Sequence, residues 1–202
     1  MEQNCRDAYD VFLAVAKEEM NRLIDEMDYS EIEAAAELIL AAQKAGGRVH
    51  VSGIGKPGHI SGYIASVMSS TGNPTYFLHG TEAVHGSCGQ LKAGDVVICI
   101  SNSGETSELM ATAVAIRNNG CKIIAVTGRP ESTIAKFSDV HIFAGTKSEG
   151  GPLGRAPRTS ILAECIALQA LSVILQKEKA QTVDEYILRH PGGTLGQTGN
   201  KK

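Results

Sequence analysis

Residues Ser101–Glu108 read SNSGETSE and follow directly on the apolar run DVVICI. A loop of this kind between a strand and a helix can hold an anion. Backbone N–H groups point outward at a helix N-terminus, where the helix dipole is positive. Ser101, Ser103 and Thr106 add hydroxyls, and Gly104 lets the backbone approach a ligand closely. A phosphate satisfies all of these donors at once, without an obligatory lysine. A turn that only caps the helix uses the same residue types, so spacing alone leaves both readings open. The acids of the stretch, Glu105 and Glu108, look out of place beside an anion.

A second glycine loop, GIGKPG, occupies 53–58. It matches the G-x-G-x-x-G dinucleotide fingerprint between a strand and a helix. That fingerprint also needs an acid about 20 residues on, at the end of the next strand, to hold a ribose. The window Asn73–Thr81 contains none, and the first carboxylate is Glu82. Nor is it a P-loop, because Lys56 is followed by Pro57 where Ser or Thr is required. Neither nucleotide reading stands.

The elements that must position these loops alternate. Phe12, Ala16, Met20, Leu23 and Met27 recur at helical steps. Ser30 with Glu33 matches a capping box opening a second helix, which the glycines of AGG at 45–47 stop. Five short apolar runs then read as strands: 48–53, 74–79, 95–101, 122–127 and 139–144. Helical stretches separate them: to about Ser70 after the first, over 105–118 after the third, and a short one opened by GRPES with Pro130 at its first position. A long apolar helix runs from about Arg158 to Lys177, and a short one covers 183–189. Strands alternating with helices predict parallel βαβ units, and continuously apolar strands predict a sheet covered on both faces. The expected fold is α/β: a three-layer sandwich around a five-stranded parallel sheet, with two extra N-terminal helices. One domain is expected over 1–202, with helices in 8–45, the α/β core in 46–180 and a C-terminal segment in 181–202.

Bulk properties exclude several classes. A chain of 202 residues suits one domain with a full core. A formal net charge of -3 and the absence of Trp argue against nucleic acid. Five cysteines, none in a CxxC pair, argue against a disulfide framework and fit a reducing cytoplasm. The acidic start MEQNCRDAYD has no apolar h-region, so no signal peptide is expected. No unbroken apolar run approaches the roughly 20 residues needed to cross a bilayer. The six histidines show no ligand spacing, so neither a metal nor any other cofactor is expected.

SNSGETSE closely resembles the phosphate loop of sugar isomerase (SIS) domains. GIGKPGH, FLHGTEAVHG, TGRPEST, KSEGGPLGRAPRTS and HPGGTLG follow the same family in order and interval. Together they resemble SIS proteins of the arabinose-5-phosphate isomerase type over about residues 8–197. The resemblance implies a flavodoxin-like sheet and an aldose–ketose isomerisation of a phosphorylated sugar, D-ribulose 5-phosphate with D-arabinose 5-phosphate, through an enediol. The same chemistry on a hexulose or heptose phosphate, or sugar-phosphate sensing without turnover, is compatible with the same motifs.

The family's catalytic positions fall on Lys56, His85, Glu108, Glu149 and His190. Isomerisation needs a base next to the carbonyl carbon, a proton relay between two oxygens and a donor or cation for the enediolate. Each of the five also has a plainer reading: a helix-start lysine, a dipole-complementing Glu108, a solvated loop Glu149, two structural histidines. Binding positions implied for phosphate or sugar are Gly55, Ser101, Asn102, Ser103, Gly104, Thr106, Thr159 and Ser160, with Arg129 and Arg155 as weaker candidates. Capping alone would also explain Thr159 and Ser160. His59, His79 and His141 are read as structural. In SIS isomerases the HPGG segment reaches a neighbouring subunit, which implies a homo-oligomer, most simply a tetramer, in which His190 completes another protomer's site. Two departures stand out. Full-length relatives usually continue into a pair of CBS modules, whereas this sequence ends at Lys202, as an isolated SIS domain would. Pro57 replaces a common Ser, which removes one donor and bears on substrate range.

Overall fold

The computed structural model describes residues 3–192 and Thr194. Of the C-terminal segment, Gly193 and residues 195–202 lie outside the described residues. Two helices come first, α1 (Gln3–Glu26) and α2 (Tyr29–Lys44). Five strands follow: β1 (Val49–Gly53), β2 (Thr75–Phe77), β3 (Val96–Ile100), β4 (Lys122–Thr127) and β5 (Val140–Phe143). Between and after them run α3 (Lys56–Ser70), α4 (Ser107–Asn118), α5 (Thr133–Phe137), α6 (Thr159–Glu178) and α7 (Val183–Leu188), with 3₁₀ turns at Glu82–His85 and Ser87–Gln90.

All strand pairs are parallel, in the order β2-β1-β3-β4-β5. Side chains alternate across each strand. Val49, Val51, Ile98 and Ile100 therefore pack under α2, α3 and α6, while Val97, Cys99, Ile123 and Ala125 pack under α4 and α5. This is the expected three-layer sandwich, and α1 lies outside it against α6. The chain leaves β1 towards β2 on one side and β3 towards β4 on the other. Their carboxyl ends thus flank a crevice, the place where open α/β sheets bind ligands.

Several local expectations shift. The N-cap of α2 is Asp28, whose carboxylate accepts the Ser30 N–H at 2.8 Å; a Ser30–Glu33 capping box does not form because the helix already starts at Tyr29. Pro130 stays in the turn before α5, whose N-cap is Ser132. The helix expected from Glu105 begins at Ser107, because Gly104 turns the chain at φ +64° first. By length and composition α6 is apolar enough to span a bilayer, contrary to the reading of the runs. Nine of its residues, among them Leu168, Leu171 and Leu175, are buried against its own fold, as in a core helix.

At the amino ends of the strands, Asp95 ties three segments together. Its carboxylate, 0% exposed, accepts the N–H groups of Arg48 (2.8 Å) and Lys92 (3.0 Å), the Arg48 guanidinium (2.9 Å) and His50 Nε2 (3.2 Å). Burial pushes its pKa up, but these donors outweigh burial and hold it below the usual carboxylate value of 3.8. A carboxyl with a depressed folded pKa stabilises above its unfolded pKa and loses that contribution as pH falls through the folded one. Asp95→Ala should lower unfolding stability in urea by about 3–5 kcal/mol at neutral pH. The gap from wild type should narrow below pH 3.8.

Candidate active site

The crevice is bounded by the two loops singled out above. β1 and β3 are paired with Gly53 opposite Ile100, so the 53–58 and 101–106 loops leave the sheet side by side. The first turns sharply at Gly55 (φ +66°) into α3, with Lys56 exposed at its first position. An open cleft of about 440 Å³ lies beside it, lined by Gly53, Gly55, His59, Phe77, His79 and Thr81. His59 is one turn beyond Lys56 on α3. His79 Nδ1 accepts the Glu82 N–H at 3.3 Å and lies 3.1 Å from the Thr81 hydroxyl. Both histidines, read from sequence as structural, are exposed and face this cleft. His141 does take a structural place on β5, 2.9 Å from the Thr127 hydroxyl.

The 101–106 loop is braced from within. Buried Ser101 accepts the Gly104 N–H on its hydroxyl at 3.1 Å, and that hydroxyl lies 3.1 Å from the Thr106 hydroxyl. Ser101 is therefore a strut of the loop, and its hydroxyl is not an open donor as the sequence suggested. Ser103 accepts the Glu105 N–H at 3.2 Å, and the Asn102 carbonyl accepts Gly128 N–H at 3.0 Å. Among the described residues, the N–H groups of Ser103, Thr106 and Ser107 have no partner, and all three stand at the start of α4. They form an unpaired donor set of the kind an anion fills. Gly104 has positive φ, and a Cβ there would collide with the Ser132 side chain.

The two acids of this stretch have separate places. Glu105 turns away and accepts the Thr133 hydroxyl (2.7 Å) and N–H (2.8 Å), joining the loop to the start of α5. Glu108 stays exposed on the first turn of α4. Its own backbone N–H and the Ser107 hydroxyl (2.9 Å) hold its carboxyl below the usual value, so it is ionised at neutral pH. Its carboxylate is thus held at the first turn of α4, next in the chain to the unpaired N–H groups of Thr106 and Ser107.

Glu149 approaches from the loop after β5. Its Oε2 accepts the N–H groups of Arg158 (2.6 Å) and Ser160 (3.2 Å), with the Thr159 hydroxyl at 3.3 Å. Burial pushes its pKa up, and these bonds at the start of α6 outweigh burial and keep it low. Thr159 and Ser160 are buried, and Thr159 also donates to the Ser148 carbonyl. In this chain alone they hold the Glu149 loop and do not line an open surface.

That loop is held from its other side by α1. Glu19, 5% exposed, accepts the N–H groups of Lys147 (2.9 Å) and Ser148 (2.9 Å) and pairs with Arg22 at 2.8 Å. Arg22 in turn donates to the Gly145 carbonyl at 3.0 Å. Sequence reading missed Glu19 because it sits among charged neighbours on an amphipathic helix, KEEMNR, where a solvated acid is expected.

His85 ends its 3₁₀ turn and is exposed. His190 is elsewhere. Its Nδ1 donates to the Tyr186 carbonyl at 2.8 Å and its ring stacks on Tyr186 at 4.1 Å, leaving Nε2 as the free ring nitrogen. The neighbouring Arg189 and Gln181 lie against Gly72, beyond the carboxyl end of α3 and ahead of β2. That is the end of the sheet opposite the anion loop, so the loop and His190 of one chain do not meet. Arg129 and Arg155 are exposed on flanking turns. Among the described residues, no group of three or more His, Cys, Asp or Glu is placed to hold a metal ion.

A model of the SIS domain matches residues 42–174. The chain belongs to the SIS domain family. Within it, this SIS domain is 44% identical over 151 residues to the arabinose 5-phosphate isomerase KdsD of Shigella flexneri, an alignment covering 75% of this chain and 46% of that protein. The chain thus spans about half the length of the curated relatives it matches. Among solved structures it is similar to the Escherichia coli CFT073 protein c3406 in complex with arabinose 5-phosphate, with a TM-score of 0.84 and 34% identity. That match covers 95% of this chain and 100% of the other. A Listeria monocytogenes structure matches at TM-score 0.87 and 26% identity, with the same coverage.

Gly104→Ala tests the loop geometry. The left-handed backbone and the clash with Ser132 should cost about 1–3 kcal/mol of stability. Inorganic phosphate should no longer raise the melting temperature of the variant, as it should that of the wild type.

Proposed function

We propose that this SIS domain is an aldose–ketose isomerase of phosphorylated sugars that interconverts D-ribulose 5-phosphate and D-arabinose 5-phosphate. The observation that carries the reading is the juxtaposition of an open N–H set at the start of α4 with the ionised carboxylate of Glu108. In this reading the first suits the phosphate of the substrate, and the second would face its sugar carbons. The similarity to KdsD and to c3406 bound to arabinose 5-phosphate supports the choice of sugar.

In this reading Asn102, Ser103, Gly104 and Thr106 cradle the phosphate, and Gly55 gives room for the sugar. Glu108 takes the proton from the carbon beside the carbonyl. The electron pair forms the enediol, and the proton returns to the neighbouring carbon, so no redox cofactor is consumed. Lys56 stabilises the charge on the enediolate oxygen. Glu149, His85 and His190 move protons between the two oxygens and assist ring opening, with Thr159 and Ser160 keeping Glu149 in place.

The reading includes a cytoplasmic homotetramer in which His190 serves a neighbouring protomer. Two observations support this. His190 stands at the far end of its own sheet. An apolar groove of about 430 Å³ also opens between Ile24, Tyr29 and Val173, side chains that are 56%, 63% and 62% exposed. The domain assignment over 1–202 belongs to the same proposal. A hexulose or heptose phosphate as substrate is favoured by one observation, the loss of a donor at Pro57.

Pure protein incubated with ribulose 5-phosphate should yield arabinose 5-phosphate by NMR. No conversion of it at high enzyme concentration would overturn the assignment, and conversion of a longer ketose phosphate would redirect it. Glu108→Gln should lower kcat by about 10²–10⁴-fold while phosphosugar still raises the melting temperature. If sites are shared between protomers, mixing inactive Glu108→Gln and His190→Ala proteins, with subunit exchange, should regain part of the activity. No regain would assign His190 to no shared site.

A further inference from the structure

Glu164 lies on α6 one turn beyond Ser160, on the same helical face. It is 0% exposed, and among the described residues neither carboxyl oxygen has a partner in hydrogen-bond geometry. Among the described residues the buried Ser160 hydroxyl beside it has no hydrogen-bond partner either. Two polar groups act on Glu164. One is the carboxylate of Glu149, which raises its pKa; the other is the Asn102 backbone N–H of the anion loop, which lowers it. Glu164 thus stands behind both halves of the candidate site.

An uncompensated charge in such a place is costly, and a buried carboxyl escapes the cost by keeping its proton. Among the described residues, the charged groups of the elements packed around it are paired or exposed. Arg22 on α1 is paired with Glu19 and Glu26. On α2, Glu31 accepts the Phe143 N–H, and Glu33, Glu37 and Lys44 are exposed. On α3, Lys56 and His59 are exposed, and the Tyr63 hydroxyl is occupied by Gln169. Cys165, next on α6, is a thiol whose pKa is pushed up first by burial. Burial, then the Glu149 charge, push Glu164 up to about 8, while Glu149 stays low. One carboxyl of the pair is ionised and the other keeps its proton.

We propose that Glu164 is a positioning residue of the site: a neutral carboxylic acid behind the anion loop and Glu149 that keeps a second negative charge away from a bound phosphate. Once Glu164 ionises, it repels Glu149 and the phosphate together, and anion affinity falls. The idea rests on the anion-site reading but not on the identity of the sugar.

The test is inorganic phosphate binding by calorimetry from about pH 7 to about pH 9.5, on wild type and Glu164→Gln. Wild-type affinity should fall on the order of tenfold across that range, while the variant should show no such decline. Parallel declines in both would overturn the proposal. A second measurement needs neither ligand nor variant. In wild type labelled with ¹³C at glutamate carboxyls, one resonance should titrate near pH 8, far above the ordinary 4.5. If every glutamate titrates below about pH 6, the proposal fails even where phosphate binds. If that resonance is present but phosphate binds neither protein, the anion-site reading fails instead.

Discussion

Everything at the site follows from the pairing of β1 with β3. Their register puts Gly53 beside Ile100, so two chain segments far apart in sequence leave the sheet as neighbours. The chain winds outward from this pair in both directions, β2 on one side and β4 on the other. Neither loop is therefore covered by its own crossover helix. The crevice is a property of the winding, and side chains only furnish it.

What holds the furnishing loops is a set of carboxylates that accept backbone N–H groups. Glu19 takes two from the loop after β5, and Glu149 takes two from the start of α6. Glu105 takes one from the start of α5, and Glu31 one from the carboxyl end of β5. A carboxylate bound to backbone donors is a strong, short acceptor, and it stiffens segments that have no ladder of their own. This settles the puzzle of acids beside an anion site. Most of them face structural N–H groups, and Glu108 alone of the pair in SNSGETSE remains at the open side.

Much of this was legible in the sequence. The five strands fell within a residue or two of their places because continuously apolar runs bounded by glycine and polar turns have few other solutions. β2 is the most shortened, 75–77 of the expected 74–79, as befits an edge strand paired with β1 alone. The glycine turn of 101–106 leading into a helix was legible from residue type, since hydroxyls, a glycine and a following helix are local features; that the Ser101 hydroxyl is used inside the loop was not. Helix starts were read less well. Asp28 and Ser132 displaced Ser30 and Pro130, because a cap is chosen by where the chain enters the helix, and packing against the sheet decides that.

Glu19 and Glu164 mark the limit of reading a sequence. Glu19 looks like a surface acid on an amphipathic helix and Glu164 is a lone acid in an apolar one, yet both are buried beneath or beside the site; Glu19 is clasped by donors, while among the described residues neither Glu164 oxygen has a hydrogen-bond partner. Their surroundings differ: Lys147 and Ser148 donate to Glu19, whereas burial and the nearby Glu149 carboxylate disfavour a charge on Glu164. By itself the sequence determined the element order, the parallel sheet and the chemistry each loop can offer, since those depend on periodicity and residue type over short spans. Only the tertiary structure decided which donors stay open, which acids keep a proton and that His190 stands at the far end of its own sheet. Those outcomes turn on burial and on contacts between distant segments, which no local pattern encodes.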